Sequence, residues 1–260
     1  MSGFPFLLLA LLAAAITAFA ARRNYFTLPP ITPSYQIRFR QTAGAFLLYV
    51  VVTFLYVPLI WWMGKSSWHN LIFLLLLFCA LGVYLFIIRR EAFYAVFWGG
   101  HDATWHRFWK GCGMGVVTWF IAYPYVLLVN GLVKWWIPPE EGEQVAVKFL
   151  KGTMGHPVLL IAALVCVVLI VPFLEETLFR GFLQSWLRKF FGRGGTIIVT
   201  ALIFSAVHYA PNQNNIEILT SLFVLSLFLG FIYERERSLF APIALHTTFN
   251  LVSAIVILVK

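Results

Sequence analysis

Residues 172 to 184 read PFLEETLFRGFLQ and put three ionisable side chains, Glu175, Glu176 and Arg180, directly after the apolar run VLLIAALVCVVLIV. An ionisable side chain inserted at membrane depth costs about 2.5–3.5 kcal/mol, so such residues are rare in membrane helices and are usually functional. Three of them so close together predict that this stretch carries the functional site of a membrane protein.

The composition of the whole chain agrees with this interpretation. Of its 260 residues, 61% are hydrophobic and 11% are charged, whereas soluble domains contain about 45–50% apolar residues. The fold class predicted is therefore all-α, a polytopic membrane protein with a bundle of about eight transmembrane helices in the lipid bilayer. The net charge of +9 does not indicate a nucleic-acid partner, because the basic residues lie in short clusters between apolar runs, as in cytoplasmic loops.

Eight apolar runs are predicted as spans: residues 3–21, 42–63, 71–88, 112–136, 158–183, 196–210, 216–233 and 239–259. The first could be a signal peptide, but it lacks a basic n-region and is followed at once by Arg22 and Arg23, which favours a span with its N-terminus outside. Residues 91–111, rich in aromatic and basic side chains, are predicted to form an interfacial helix or loop. The acidic loop 138–144 is expected on the outer side.

The distribution of positive charge supports this order of spans. The segments predicted to lie inside hold thirteen of the 19 Lys and Arg residues: Arg22, Arg23, Arg38, Arg40, Arg89, Arg90, Arg107, Lys110, Arg188, Lys189, Arg193, Arg235 and Arg237. The outer segments hold five: Lys65, Lys134, Lys148, Lys151 and Lys260. Arg180 remains within the membrane. The bias follows the positive-inside rule, and one missed or added span would abolish it.

The motif E-E-x-x-x-R places Glu176 and Arg180 four residues apart, so that the two side chains share a helix face and can pair. Glu175 points about 100° away from Glu176 on a regular helix. The two carboxylates are therefore predicted to have different roles. Arg180 is interpreted either as the structural partner of Glu176 or as a substrate contact.

Two further motifs follow in later spans. Phe204 and His208 form F-x-x-x-H, and His246 and Asn250 form H-x-x-x-N, each pair being expected on one side of a helix. At about 1.5 Å per residue, Glu175 and His208 lie roughly 20 Å from the basic turn 188–193, while His246 and Asn250 lie roughly 13 and 20 Å from Arg237. The depths predict that these groups converge in the membrane.

A fourth polar group follows the sixth predicted span: Asn212, Gln213, Asn214, Asn215 and Glu217. It is interpreted as a solvated outer turn.

The residue types favour hydrolysis. A carboxylate and an imidazole can hold and deprotonate a water, and a second imidazole with a carboxamide can donate hydrogen bonds to an oxyanion. Such a site needs no cofactor. Zinc bound by Glu175, His208 and His246 is an alternative, although no H-E-x-x-H motif is present. A serine mechanism is less favoured, since no G-x-S-x-G surrounds Ser205 or Ser221.

A non-catalytic protein that binds an ion or relays protons through its buried Glu, His and Arg groups is the competing class. Residues 164–171 are apolar apart from Cys166, which leaves little room for a polar path along that span. The chain also lacks the internal repeat that is typical of inverted-repeat transporters.

The segments EETLFR (175–180), FSAVH (204–208) and HTTFN (246–250) resemble, in order and spacing, the three signature motifs of the CAAX protease and bacteriocin-processing family. These are glutamate-dependent intramembrane endopeptidases and include the eukaryotic Ras-converting endopeptidase. The resemblance covers residues 158–260 as catalytic core helices, preceded by residues 1–157 as N-terminal transmembrane helices with the interfacial segment.

The resemblance implies a helical bundle with a cavity open toward the cytosolic side and the lipid. It implies that Glu175 and His208 activate water, that His246 and Asn250 form the oxyanion hole, and that Glu176 and Arg180 shape the site or contact substrate. Phe204 is assigned with them as a substrate-binding or structural residue.

The partner implied is a membrane-associated protein or peptide substrate, with a prenylated CAAX-type C-terminus as one possibility among several. The compact size predicts a prokaryotic cytoplasmic membrane protein.

Overall fold

The computed structural model describes residues 3–30, 36–63, 67–99, 103–137, 142–211, 213 and 215–259, and every regular element in these ranges is a helix. The first part of the chain forms α1 (Gly3–Arg22), α2 (Phe39–Met63), α3 (Ser67–Ile87), α4 (Arg90–Trp98), α5 (Trp105–Trp136) and α6 (Val145–Lys151). The second part forms α7 (Pro157–Val165), α8 (Val171–Glu176), α9 (Ser185–Ala206), α10 (Asn215–Glu236) and α11 (Phe240–Val259). The all-α prediction is confirmed.

Within the described residues, six helices are long and apolar enough to cross a membrane, and a shorter apolar helix covers Phe6–Arg22. One of the six, Pro157–Ala206, has 50 residues and contains two of the predicted spans, because the backbone changes direction at Gly192 (φ 63°, ψ −171°). The predicted number of about eight spans therefore fits. At most 33% of the most apolar stretch of any of these six helices is buried, so their apolar surface faces outward, as lipid requires.

Two π-helical turns, Cys166–Ile170 and Thr177–Gln184, connect α7, α8 and α9 into one continuous helical segment, here called the central rod. A π-turn inserts an extra residue into the helical repeat and is frequent at functional sites. Here the two turns flank α8, which carries both glutamates of the first motif. The sequence prediction assumed a regular α-helix through this region.

The helix connections alternate between two ends of the bundle. We call one of them the basic end. There the buried carboxylate of Glu234 binds Arg188 and Arg193, each at 3.2 Å, and Arg193 also donates to the Pro29 carbonyl at 2.6 Å. The opposite end, here called the distal end, carries α6, the start of α3 and the turn between α9 and α10. At the basic end, Glu234 thus ties the end of α10 to the start of α9, and Arg193 attaches the loop between α1 and α2.

The segment predicted to be interfacial contains α4 and the first turns of α5. One side of α4 is buried, with Ala92 and Val96 at 0% exposure, and α4 packs against the second π-turn. Trp105 and Trp109 remain exposed. The helix α6 was not predicted, and α5 begins seven residues earlier than the predicted span. Lys65, residues 138–141 of the acidic loop, Asn212, Asn214 and Lys260 lie outside the described residues.

Helix α5 packs against α1, α10 and α11, and its approach to α11 depends on a glycine. A Cβ atom on Gly115 would lie 2.3 Å from the Ala241 carbonyl oxygen and 2.8 Å from the Ala244 Cβ. These distances are far below van der Waals contact, so the two backbones can approach this closely only where a side chain is missing.

We expect Gly115→Ala to destabilise the protein by about 1–3 kcal/mol, because the two helices must separate to admit the methyl group. Gly113→Ala on the same helix is the matched control, since nothing lies within 4 Å of its added Cβ, and the better helix propensity of alanine should leave it unchanged or slightly more stable. Thermal unfolding of both variants in detergent micelles measures the difference. Equal stability of the two variants would contradict this packing.

Candidate active site

The carboxylate of Glu175 lies at the end of α8, and two imidazole rings face it. His208 Nε2 is 3.5 Å from Glu175 Oε1, and His246 Nε2 is 3.9 Å from Glu175 Oε2. Contacts of this length are longer than a good hydrogen bond but too short to admit a water between the two atoms, so a water shared by them would lie on the cavity side. The Glu175 side chain is 24% exposed, so it can be reached from the cavity described below.

His208 lies two residues beyond the end of α9, and not inside the span as predicted. Its Nδ1 is 2.6 Å from the Phe204 carbonyl oxygen. A carbonyl only accepts hydrogen bonds, so Nδ1 carries the proton and Nε2 is presented to Glu175. The turn that holds this histidine is built by amide side chains: Gln213 donates to the His208 carbonyl at 2.9 Å, and Asn215 donates to the Ala210 carbonyl at 2.8 Å.

His246, on α11, bridges the two glutamates. Its Nδ1 is 2.8 Å from Glu176 Oε1, while its Nε2 faces Glu175. The ring is 4% exposed. Arg180 donates to the same oxygen of Glu176 at 3.0 Å, so this carboxylate oxygen accepts from a guanidinium and lies next to an imidazole N–H. The proton on Nδ1 of His246 is therefore donated to Glu176.

Arg180 is fully buried and so is Glu176, each with 0% exposure. The guanidinium also donates to Ser226 Oγ on α10 at 2.5 Å and lies 4.6 Å above the Phe204 ring. Because the ion pair has no exposed surface, a substrate cannot contact it directly. Of the two interpretations of Arg180, the structure favours the structural partner of Glu176.

Asn250 lies one helical turn after His246 on α11. Its amide nitrogen donates to the Val167 carbonyl at 2.9 Å. Val167 belongs to the first π-turn, and the bond thus fastens α11 to the rod that carries Glu175. An amide has a second N–H, which could be donated to a group in the cavity.

A cavity of about 640 Å³ opens next to these side chains, and Glu175, His208, His246 and Asn250 all line it. Its walls come from α3, α5, α6, α10, α11 and the turn after α9. This volume lies within the range of about 300–1,000 Å³ that is usual for ligand sites. These four predicted site residues form a polar region of a cavity whose walls are largely apolar.

Phe204, predicted as a substrate-binding or structural residue, has 0% exposure and packs against the His208 ring at a centroid distance of 4.7 Å, with the two rings tilted by 46°. Phe204 therefore has a structural role, in which its buried ring packs against His208. Gln213, interpreted as part of a solvated turn, is 4% exposed and positions His208. Ser226 was missed altogether, because a lone serine in an apolar helix has no pattern that links it to an arginine 46 residues away.

Among the described residues, no cluster of three or more His, Cys, Asp or Glu side chains has a geometry that could hold a metal ion. In the set proposed for zinc, the second ring nitrogen of His246 is already engaged by Glu176. That arrangement also occurs around zinc-bound histidines, so the chemistry of the individual donors does not decide between the two mechanisms.

The fold and the site define a helical membrane protein with a buried carboxylate and histidine centre. Residues 157–252 match the model of the Rce1-like family, described as type II CAAX prenyl endopeptidase Rce1-like, and this stretch contains all three motifs. The resemblance seen in the motifs is confirmed for this part of the chain. Comparisons with curated proteins and with solved structures found no match. The general function that the family supports is a CAAX-type intramembrane protease.

We expect Arg180→Met to destabilise the protein by about 3 kcal/mol or more, because it leaves the carboxylate of Glu176 buried without its cation. The double variant Glu176→Leu with Arg180→Met should recover part of that loss, since two apolar side chains can replace a buried ion pair. Thermal unfolding in detergent measures both. A double variant less stable than Arg180→Met would contradict the interpretation of Arg180 as the partner of Glu176.

Proposed function

We propose that the protein is an intramembrane endopeptidase that hydrolyses a peptide bond of a membrane-associated protein or peptide by means of a water activated by Glu175. One observation carries the proposal: the accessible carboxylate of Glu175 lies at the cavity floor between the Nε2 atoms of two histidines, at 3.5 and 3.9 Å. A water on the cavity side of this carboxylate would be polarised by it and by an imidazole, next to the space in which a peptide can lie.

In the first step Glu175 acts as general base and takes a proton from the water, while His208 helps to orient it. The water oxygen forms a bond to the scissile carbonyl carbon, and the carbonyl oxygen becomes an oxyanion. When the carbon–nitrogen bond breaks, the proton held by Glu175 is transferred to the leaving amine. The products are a carboxylic acid and an amine, which become a carboxylate and an ammonium by transfer of the remaining water proton, and no covalent intermediate with the protein is formed.

The oxyanion is stabilised by hydrogen bonds from His246 and Asn250. Because Nδ1 of His246 donates to Glu176, its Nε2 carries a proton only in the imidazolium form. The oxyanion role of His246 therefore requires its imidazolium form, with the carboxylate of Glu176 at 2.8 Å from Nδ1. Glu176 is thus a positioning residue for His246, and Arg180 keeps Glu176 in place.

The competing class, a protein that relays ions or protons, needs a polar path from one side of the membrane to the other. Toward the basic end, the described residues next to the site are closely packed: the apolar Leu229, Phe182 and Leu239 and the paired polar groups Glu176, Arg180, Gln184 and Glu234 all have 0% exposure. A cavity that ends at the Glu175 carboxylate fits a catalytic site better than a path for ions or protons.

Glu175→Ala and His208→Ala should each lower peptide cleavage by at least about 10²-fold, the usual contribution of a general base. Asn250→Ala should lower it by about 10²–10³-fold, as the loss of an oxyanion donor does. New protein termini are first identified by mass spectrometry in membranes that contain each variant. The cleavage rate of each variant is then measured on a peptide identified in this way. Glu143→Gln is the matched control, because Glu143 is half exposed and pairs with Lys151 away from the cavity. Full cleavage by Glu175→Ala would disprove the mechanism.

A zinc mechanism and a mechanism without metal predict different effects of a chelator on the cleavage rate. If water is activated by Glu175 alone, dialysis against a strong zinc chelator should leave the cleavage rate within about twofold, since no metal lowers the pKa of the water. The rate of the dialysed enzyme, together with its zinc content by mass spectrometry, checks this. Loss of activity that is restored by adding zinc would establish a metalloprotease.

A further inference from the structure

A second, smaller pocket of about 140 Å³ lies at the basic end and shares no lining residue with the cavity at Glu175. We call it the basic-end pocket. It is formed where the end of α4, the start of α5 and the turn between α10 and α11 meet, and its lining includes His106, Arg107, Lys110 and Glu236. A single water needs about 10–15 Å³ of such space, so a phosphate group can enter this pocket.

The side chains around the basic-end pocket carry an excess of positive charge. Glu236 is 8% exposed; one of its oxygens accepts from Arg235 at 2.6 Å and the other lies 3.4 Å from the Lys110 ammonium. Arg107 adds a third cation, and its guanidinium has no acceptor in the described part of the chain. Because these three described cations are opposed by one carboxylate, an anion in the pocket would be attracted.

A buried hydroxyl also lines the pocket. Ser238 is 6% exposed, and its Oγ accepts from the Phe240 N–H at 3.3 Å. The proton of this hydroxyl has no acceptor among the described residues. Gly111 leaves the hydroxyl uncovered, since an added Cβ would lie 3.2 Å from Ser238 Oγ. The pocket therefore combines a hydroxyl donor with two cationic donors, the groups that phosphate oxygens accept from.

Aromatic side chains hold the three elements of the pocket together. Phe240, the first residue of α11, packs edge-on against Trp98 of α4 at a centroid distance of 4.7 Å and against Phe108 of α5 at 4.8 Å. Such pairs stabilise beyond the area that they bury. The basic-end pocket is therefore a fixed feature of the fold, and not a gap between independent side chains.

The basic-end pocket lies at the level of the lipid headgroups. Helix α5 has 32 residues and rises roughly 48 Å at about 1.5 Å per residue, whereas the hydrocarbon core is about 30 Å thick. The ends of α5 therefore reach the headgroup region. Trp105 and Trp109, both exposed at its start, belong to the residue type that is enriched at this level.

We propose that the basic-end pocket binds the phosphate group of an anionic phospholipid. Arg107 and Lys110 pair with the phosphate, and Ser238 donates its hydroxyl proton to it. A lipid is the occupant because the pocket lies where lipid phosphates are concentrated, and basic pockets between membrane helices commonly bind anionic headgroups. The bound lipid connects α4 and α5 to the turn that precedes α11, the helix of His246. This inference goes beyond the peptidase function and does not rest on it.

The first test measures lipid binding to the purified, delipidated protein in detergent by native mass spectrometry. We expect phosphatidylglycerol to bind at least about tenfold more weakly to Arg107→Gln/Lys110→Gln, which loses two charge-assisted hydrogen bonds. Both side chains are exposed, so this variant should fold. Arg22→Gln/Lys189→Gln removes two other exposed cations from the basic end and should bind like the unmodified protein. Equal losses in the two double variants would overturn the proposal.

The second test places a negative charge inside the pocket. Ser238→Asp keeps an oxygen acceptor for the Phe240 N–H, because aspartate caps a helix about as well as serine, so the unfolding temperature without lipid should change little. We expect phosphatidylglycerol to bind at least about tenfold more weakly, since the added carboxylate repels the phosphate. Unchanged binding of phosphatidylglycerol would overturn the assignment of the phosphate to this pocket.

The third test identifies the occupant through thermal unfolding of the unmodified protein with different ligands. We expect phosphatidylglycerol to raise the unfolding temperature by a few degrees, and inorganic phosphate at the same concentration to leave it unchanged. Equal stabilisation by inorganic phosphate would overturn a lipid as the occupant. Equal stabilisation by the zwitterionic phosphatidylcholine would overturn the preference for an anionic headgroup.

Discussion

The ion pair between Glu176 and Arg180 is the contact on which the rest of the site depends. A carboxylate with no exposure to solvent is tolerable only when its charge is compensated, and Arg180 supplies that compensation at 3.0 Å. The same guanidinium reaches Ser226 on α10, while the same carboxylate reaches His246 on α11. One charge pair on the central rod thereby fixes the positions of two further helices.

The two neighbouring glutamates differ because their surroundings differ. Glu176 pairs with a cation and an imidazole and has no exposed surface, so a substrate cannot reach it. Glu175 faces a cavity and meets its histidines at longer distances, so it can bind and deprotonate a water. This division of labour follows from the helical period, which turns adjacent residues about 100° apart. In the proposed mechanism one carboxylate reacts and the other orients His246.

Much of this arrangement follows from simple rules applied to the chain. The apolar composition predicts a helical membrane protein, and the spacing of four residues predicts that Glu176 and Arg180 pair, as they do. Counting residues from the basic turns also predicts a common depth for Glu175, His208 and His246, which the structure brings together. Depth can be counted in this way because a membrane helix rises by a nearly constant amount per residue.

Other features are invisible to such rules because they depend on contacts between distant segments. The π-turns on either side of α8, the role of Ser226 and the position of His208 beyond the end of α9 have no local signal. The same is true of Gln213, whose polar side chain suggests a solvated turn although it is buried against the His208 carbonyl.

The sequence by itself determined the class of the fold, the order of the apolar helices and the residues proposed to carry the chemistry, since hydrophobicity, charge bias and helical spacing are local properties of the chain. Only the tertiary structure decided which glutamate is accessible and at which end of the bundle the cavity lies. Both depend on how the helices pack, since burial and an open chamber arise from many side chains that are far apart in the sequence.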